Sequence, residues 1–362
     1  MKKFSSLILF IILCFSLMLI FVSCDEEIPN DDGSTAGNEN IENPTDSSYE
    51  AFEFTLKDGG NSYSVTKYIG TSKSVTVPGE YNGKPVTSIE SMAFANCEEI
   101  TDIKISDGII NIGSGAFNKC SDLKSITIPN SVNTVGHDAF HLCTQLSEIN
   151  VSDNTVFLDD SYSFEKTAFY KNESNWKNGA LYLGCNLIRV SDTVSGKYEI
   201  QNGTKNILGA AFYNCSGITE IILPESITDI GRNIFNECSQ LTSIIVDANN
   251  KKYISVGNCI IETATKTLVV GCKASIIPND GSVTSIGAAA FEDCSELTSI
   301  TIPNFVTNIS YYAFIRCTKL TSINFEGTTE QWKTIYKDFS WNEDTGEYIV
   351  HCTDGDLTKA ES

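Results

Sequence analysis

The chain repeats itself every 23 residues, and that interval leaves it very few folds to choose from. Phe94, Phe117 and Phe140 are spaced by 23, as are Phe212 and Phe235, and Phe291 and Phe314. Each Phe is followed three residues on by a cysteine: Cys97, Cys120, Cys143, Cys215, Cys238, Cys294 and Cys317. Ala precedes the Phe in every copy but one, where Ile234 stands before Phe235. Beyond the Cys come Leu or Ile, two variable residues and an alternating apolar pair. Leu123-x-x-Ile126-x-Ile128-Pro129 is the clearest copy, and Leu297-x-x-Ile300-x-Ile302-Pro303 repeats it. A Val-x-x-Ile/Val-Gly stretch follows, as in Val132 to Gly136 and Val283 to Gly287. Composition bias does not generate seven copies of so specific a pattern.

The physics of one unit follows from its residues. Leu-x-x-Ile-x-Ile has the period-two tail of a strand with one buried face. Pro then ends the strand, because it cannot continue a hydrogen-bonded ladder. The Gly after Ile is read as permitting a turn that a Cβ would strain. Each unit is thus one coil: a short strand, a turn, a second extended piece and an Ala-Phe-x-x-Cys corner. One coil cannot bury its own Ile and Phe side chains, but stacked coils bury them against neighbours and pair their strands in parallel. The expected fold is a repeat solenoid, leucine-rich-repeat-like, a β-rich right-handed stack with parallel sheet, short turns or 3-10 corners, and few helices.

The repeat region spans 75–325, with two longer irregular units at about 150–200 and 247–278. In the first, Ala168-Phe169 reads as a shifted copy, and Tyr198-Glu199-Ile200 stands where Ile-x-Ile belongs. In the second, Cys259-Ile260-Ile261 and Leu268-Val269-Val270 each read as a strand, and Ile276-Ile277-Pro278 resumes the register. A stack needs caps. Residues 49–74 alternate like a hairpin over Phe52 to Tyr68 and suit one end; residues 326–362, with Trp332 and Trp341, break the repeat and suit the other.

These motifs resemble those of the BspA-like leucine-rich repeat proteins, bacterial surface proteins built from 23-residue units. The resemblance runs from about Val75 to Gly355 and rests on the Ala-Phe-x-x-Cys corner, the Ile-x-Ile-Pro strand and the Val-x-x-Ile-Gly turn. Gly257-Asn258-Cys259 to Gly271-Cys272 is similar to the family's longer unit, and Gly327 to Trp332 with Cys352 to Gly355 is similar to its usual end. The resemblance implies adhesion to host matrix proteins or to other cells.

The N-terminus points outside the cytoplasm. Lys2 and Lys3 precede an uncharged run from Phe4 to Val22, then Ser23-Cys24 and three acidic residues. A positive end, an apolar core and a small residue at the cut site make a secretory signal over 1–23. Phe21-Val22-Ser23-Cys24 resembles the lipobox of bacterial lipoproteins, with Phe21 in place of the usual Leu, which implies lipidation at Cys24. A plain secretory signal and an uncleaved anchor are the competing readings. Residues 24–48 are acidic and almost free of apolar side chains, and read as a flexible tether. The expected location is the cell envelope, as a membrane-anchored lipoprotein on the outer surface, or otherwise secreted.

Seven cysteines at one corner read as a structural ladder of small buried thiols, since free Cys is among the most buried residue types. Disulfides between adjacent coils are the alternative. The roughly 4.8 Å strand spacing allows them, but parallel side chains do not readily reach a dihedral near 90°. His137 and His141 have a metal-ligand spacing, yet other coils place Ser114, Arg232 and Ala288, or Asn118, Asn236 and Glu292, at the same positions. They read as variable surface residues, and neither a metal site nor a cofactor is expected. No nucleophile elbow, phosphate loop or zinc-protease motif is present, so the chain is not expected to be an enzyme.

A binding surface is the remaining option. The residue ten places after each Phe should form a continuous exposed row: Lys104, Thr127, Asn150, Ile222, Ile245, Thr301 and Asn324. Its neighbour two places earlier is polar throughout, from Asp102 and Ser125 to Ser322. The adjacent Ile222 and Ile245 make a candidate contact for a protein ligand. Acidic residues outnumber basic ones 46 to 25, for a net charge of −21, which repels nucleic-acid phosphates. The expected partners are a protein ligand, and a membrane through the N-terminal lipid, with the chain itself monomeric. The alternative is a structural envelope lipoprotein or secreted antigen without a dedicated ligand.

Overall fold

The computed structural model describes residues 49–158 and 161–361. The expected signal over 1–23, the lipidated Cys24 and the tether over 24–48 lie outside the described residues. Among the described residues no helix is long and apolar enough to cross a membrane.

Each 23-residue unit gives two short strands, one to each of two sheet faces. On the first face, Ser74–Val77, Asp102–Ile105, Ser125–Thr127 and Glu148–Asn150 pair in parallel. On the second, Lys84–Ile89, Asn111–Ile112, Thr134–Val135 and Val156–Phe157 do the same. Register is constant, so that Ile103, Ile126 and Ile149 are partners and all buried. A one-residue slip would turn these Ile side chains to solvent, which pins the pairing. The same two-faced pattern recurs with Gly217–Leu223 and Ser243–Val246, and again with Ser299–Ile302 and Ser322–Phe325. The protein is a β-solenoid of mostly parallel sheet, and its two described α-helices, Ala168–Lys171 and Thr329–Thr334, are short.

The corners are turns, not 3-10 helix. Residues two before and two after each Phe have φ in the left-handed region: Met92 (63°) and Asn96 (64°), Asp138 (56°) and Leu142 (61°), Ala289 (57°) and Asp293 (54°). That conformation costs about 1–2 kcal/mol for a residue with a Cβ. The cost is offset by hydrogen bonds that it aims along the stack. Gly115 N–H donates to the His137 carbonyl (2.7 Å), Phe117 to Ala139 (3.1 Å) and Lys119 to His141 (2.8 Å). Local bonds such as Cys120 N–H to the Phe117 carbonyl (3.1 Å) fill the alternate positions. Every second N–H of a corner therefore belongs to the next coil.

The repeated glycine has a different reason from the one its sequence context suggested. Gly136 is not left-handed; a Cβ there would stand 2.6 Å from Ser114 N and 2.8 Å from Gly113 C of the preceding coil. Gly113 and Gly231 meet the backbone of the preceding coil in the same way. The residue is small because two coils touch there, and the turn itself does not demand it.

Phe rings stack along the core. Phe94, Phe117 and Phe140 are separated by 5.4 and 5.8 Å between centroids, Phe212 and Phe235 by 5.5 Å, and Phe291 and Phe314 by 5.0 Å. Each pair adds roughly 0.5–1.5 kcal/mol to the area it buries. The stack is not continuous. Two antiparallel hairpins, Ala180–Leu183 with Asn186–Val190 and Cys259–Glu262 with Thr267–Val270, divide the core into three compartments. Each hairpin is apolar on both sides. Leu181 and Ile188 pack into the first compartment, whereas Ala180, Leu187 and Val190 pack into the second. Ile260 and Val270 complete the second, while Cys259, Ile261 and Leu268 face the third. A strand buried on both sides has no alternation, which is why all five residues of Asn186–Val190 are buried.

Two sequence readings change in these units. Ala168-Phe169 is not a corner; Thr167 caps a short helix there through its hydroxyl, and Phe164 instead takes the place beside Phe140, at 6.0 Å. Ile276-Ile277-Pro278 forms no strand, and Ile276 is exposed, because the hairpin has moved the chain off the first face. Tyr198 and Glu199 do occupy an Ile-x-Ile strand, paired with Ile221 and Ile222.

At the N-terminal end Phe52–Lys57 and Ser62–Tyr68 form an antiparallel hairpin whose second strand runs parallel to Lys84–Ile89. Its Phe52 and Tyr68 rings cover Phe94. At the other end Thr328 and Gln331 make a capping box on the helix Thr329–Thr334, which buries Trp332 against Phe325 and Trp341. Trp341 in turn covers Phe314.

Candidate functional site

The expected outward row lies on the first sheet face, but the hairpins cut it into three. Lys104, Thr127 and Asn150 are neighbours on one sheet, Ile222 and Ile245 on a second, and Thr301 and Asn324 on a third. All are exposed except Ile222, which is half-buried. The row also has members that the Phe spacing does not reach. Thr76 partners Lys104, Glu199 partners Ile222, and His351 partners Asn324. Thr76 and Glu199 carry a sequence signal in their own alternating triplets; His351 lies beyond the last repeat and has none.

The three segments differ in chemistry. The polar row beside them pairs internally: Ser125 Oγ donates to Asp102 (2.6 Å) and Ser243 Oγ to Glu220 (3.1 Å). Ile222 and Ile245 stand opposite one another on adjacent strands, and Ile245 is 40% exposed. The strand Tyr253–Val256 that follows pairs in another sheet; its Ser255 Oγ accepts from Val246 N–H (2.9 Å), and Ile254 and Val256 point to the opposite side, where they are exposed. Ile222 and Ile245 are therefore the apolar members of an outward row whose other positions are polar.

The corner cysteines point inward. Cys120 Sγ donates to the Phe94 carbonyl (3.1 Å), Cys143 to Phe117 (3.0 Å), Cys238 to Phe212 (3.2 Å) and Cys317 to Phe291 (3.1 Å). Each thiol thus bonds the Phe of the coil before it. Cys97 and Cys294 have no such Phe behind them, because each sits in the first corner of its compartment, and both are only half-buried. Cys215 finds the Val190 carbonyl of the hairpin instead (3.6 Å). Burial pushes the Cys143 and Cys317 thiols up to about 12, and Cys120 and Cys238 further. All described cysteines are free thiols.

His137 and His141 sit on one corner, and neither is joined by a third ligand; no group of three metal-binding side chains occurs among the described residues. His351 Nδ1 is 2.9 Å from Asp356 in the C-terminal hairpin, an exposed pair.

Comparison with known proteins agrees with this geometry. The family model described as BspA type leucine rich repeat region matches in six copies, over residues 71–178, 192–257 and 270–340. No curated protein matches the chain in sequence. Among solved structures, a leucine rich cell surface protein from Faecalibacterium prausnitzii is 21% identical over 82% of this chain and 98% of its own, with a TM-score of 0.36. A leucine-rich repeat protein from Bacteroides ovatus is 20% identical, covering 84% and 99%, at 0.29. The pneumococcal vaccine antigen PcpA is 15% identical, covering 83% and 86%, at 0.33. At scores this low no assignment for this chain rests on them.

Proposed function

We propose that this chain, which belongs to the BspA-type leucine-rich repeat family, is a non-catalytic, lipid-anchored protein of the cell surface that binds another protein. The observation that carries the reading is the Ile222–Ile245 pair on the middle sheet, the two apolar members of an otherwise polar outward row. Protein partners are held mainly by a few apolar anchors that lose water on contact, with a polar rim around them. Here the polar rim is Glu199, Glu220 and Ser243, already held by Lys197 and by one another. The non-catalytic part is supported by the thiols, which burial keeps protonated and so unreactive. The lipid anchor rests on the sequence around Cys24, and the family supports a place on the outside of the cell.

The test is the double variant Ile222→Asp with Ile245→Asp, assayed for binding of intact cells to fibronectin, fibrinogen and other cells. Protease treatment of intact cells first checks that the protein is on the outside. Binding should be lost while the circular dichroism spectrum and Tm of the purified variant stay near those of the parent. A variant that keeps both its fold and its adhesion removes this face from consideration.

A further inference from the structure

We propose that a cleft on the second sheet face, away from the Ile222–Ile245 surface, binds an acidic sugar residue of a glycan. The cleft opens where the sheet of Asn186–Val190, Asn206–Ile207 and Asp229–Ile230 ends without a further strand. Its volume is about 660 Å³, which is the size of a small-ligand site. Tyr162, Tyr253, Asn206, Asp229, Arg232 and Lys252 line it.

The walls are held in place by residues that do not line the cleft. Arg189 is buried and sits over two rings that meet edge-on at 5.8 Å; it is 5.9 Å from Tyr162 and 5.2 Å from Tyr213. Its Nη1 donates to Ser161 Oγ and to the Ala210 carbonyl, both at 3.1 Å, and Nη2 to the Tyr213 carbonyl (3.3 Å). Arg189 is a positioning residue: it backs one face of the Tyr162 ring, and Tyr162, which lines the cleft, is nonetheless 39% exposed. On the floor, the buried Asn206 spends both amide hydrogens on the Phe157 carbonyl (2.8 Å) and Asn186 Oδ1 (2.9 Å). That leaves its own oxygen as an oriented acceptor. Lys252 Nζ donates to the Thr228 carbonyl (2.7 Å) and lies over the Tyr253 ring.

This combination fits a sugar. An exposed, rigid aromatic ring packs against the C–H face of a pyranose, and fixed amide and carboxylate oxygens accept from its hydroxyls. The charge selects an acidic one. The chain carries −21, yet this lining sets Arg232 and Lys252 against the carboxylate of Asp229, which is 3.7 Å from Lys252; Glu262, outside the lining, is also 3.7 Å from Lys252. Arg232 is exposed, rests its guanidinium over the Tyr311 ring at 5.0 Å, and has no carboxylate partner among the described residues. A guanidinium in that state offers a two-pronged site for a sugar carboxylate.

The experiment is calorimetric titration of the intact protein with a hyaluronan hexasaccharide, which alternates hexuronate and N-acetylhexosamine, and with neutral chitohexaose. The hyaluronan fragment should bind, and more weakly as salt is raised. Tyr162→Ala and Arg232→Gln should each weaken it by about tenfold, whereas Tyr162→Phe keeps the ring and should stay within about twofold of the parent. Leu56→Ser, on the N-terminal hairpin, should leave it unchanged. Circular dichroism and Tm confirm that each variant folds. No binding of the hyaluronan fragment, or unweakened binding by folded Tyr162→Ala and Arg232→Gln variants, overturns the site; equal binding of chitohexaose overturns its preference for an acidic sugar.

Discussion

Raising the pH above about 9 should unfold this protein through its buried thiols. Cys143, Cys259 and Cys317 are all buried, and desolvation pushes each thiol up to about 12. The same thiols in an unfolded chain titrate near 8.5, roughly the ordinary value. Below that pH both states keep the proton, and the stability associated with these groups is fully present. Above it the unfolded chain loses protons that the folded chain holds, so stability falls, and it goes on falling until the pH reaches the folded value of about 12. One such group contributes a slope of about 1.4 kcal/mol per pH unit, and three contribute about 4. Two pH units then remove about 8 kcal/mol, against a total of about 5–15 for an ordinary domain. Tyr198, which burial and the neighbouring Tyr182 also raise, acts in the same direction at higher pH. The thiol part is isolated by comparing the parent with the triple variant Cys143→Ala, Cys259→Ala, Cys317→Ala in urea unfolding at a series of pH values from about 8 to 10.5. The variant starts less stable, because it lacks three sulfur atoms in a packed core. Its stability should nevertheless decline less steeply, by about 4 kcal/mol per unit. Equal slopes in the two proteins would refute the argument.

Two further outcomes follow from the packing. Iodoacetamide applied to the native protein should modify the half-buried Cys97 and Cys352 well before fully buried thiols such as Cys120 and Cys143, and most cysteines should react after denaturation without reductant; little labelling then would mean that disulfides close the ladder. Gly136→Ala places a methyl group against the backbone of the preceding coil and should lower stability by about 1–3 kcal/mol in urea unfolding, whereas a loss below about 0.5 would show that adjacent coils can separate freely.

Most of the regular architecture was legible because it depends on local periodicity. Ile126 and Ile128 announce a strand by alternation, and the 23-residue interval places that strand beside its copies. The departures have physical reasons. Gly136 is small because of a neighbour 22 residues away, which its own flanking residues do not reveal. Phe164 and Phe169 compete for one place in the core, and only packing against Phe140 decides between them. Leu187, Ile188 and Val190 are buried on both faces of one strand, but the charged Arg189 among them hides that in the sequence, and nothing local names the two bodies that cover it. The same hairpins break the outward row. Its seven members were readable one by one, while their division among three sheets was not. The cleft was least visible of all, because Tyr162, Asn206, Arg232 and Tyr253 share no motif and meet only where the stack is interrupted.

Those interruptions also change how the molecule comes apart. A stack of equal coils frays from its ends, because only the terminal coils lack a neighbour. Here each hairpin is a wall shared by two rooms: Leu181 and Ile188 on one side, Leu187 and Val190 on the other. When one room opens, the wall keeps half of its contacts and stays with the other. The natural breakpoints are thus internal, and hydrogen exchange should divide the chain into three blocks of protection. A protein built this way can lose one block to heat or a protease and keep a closed core behind the wall.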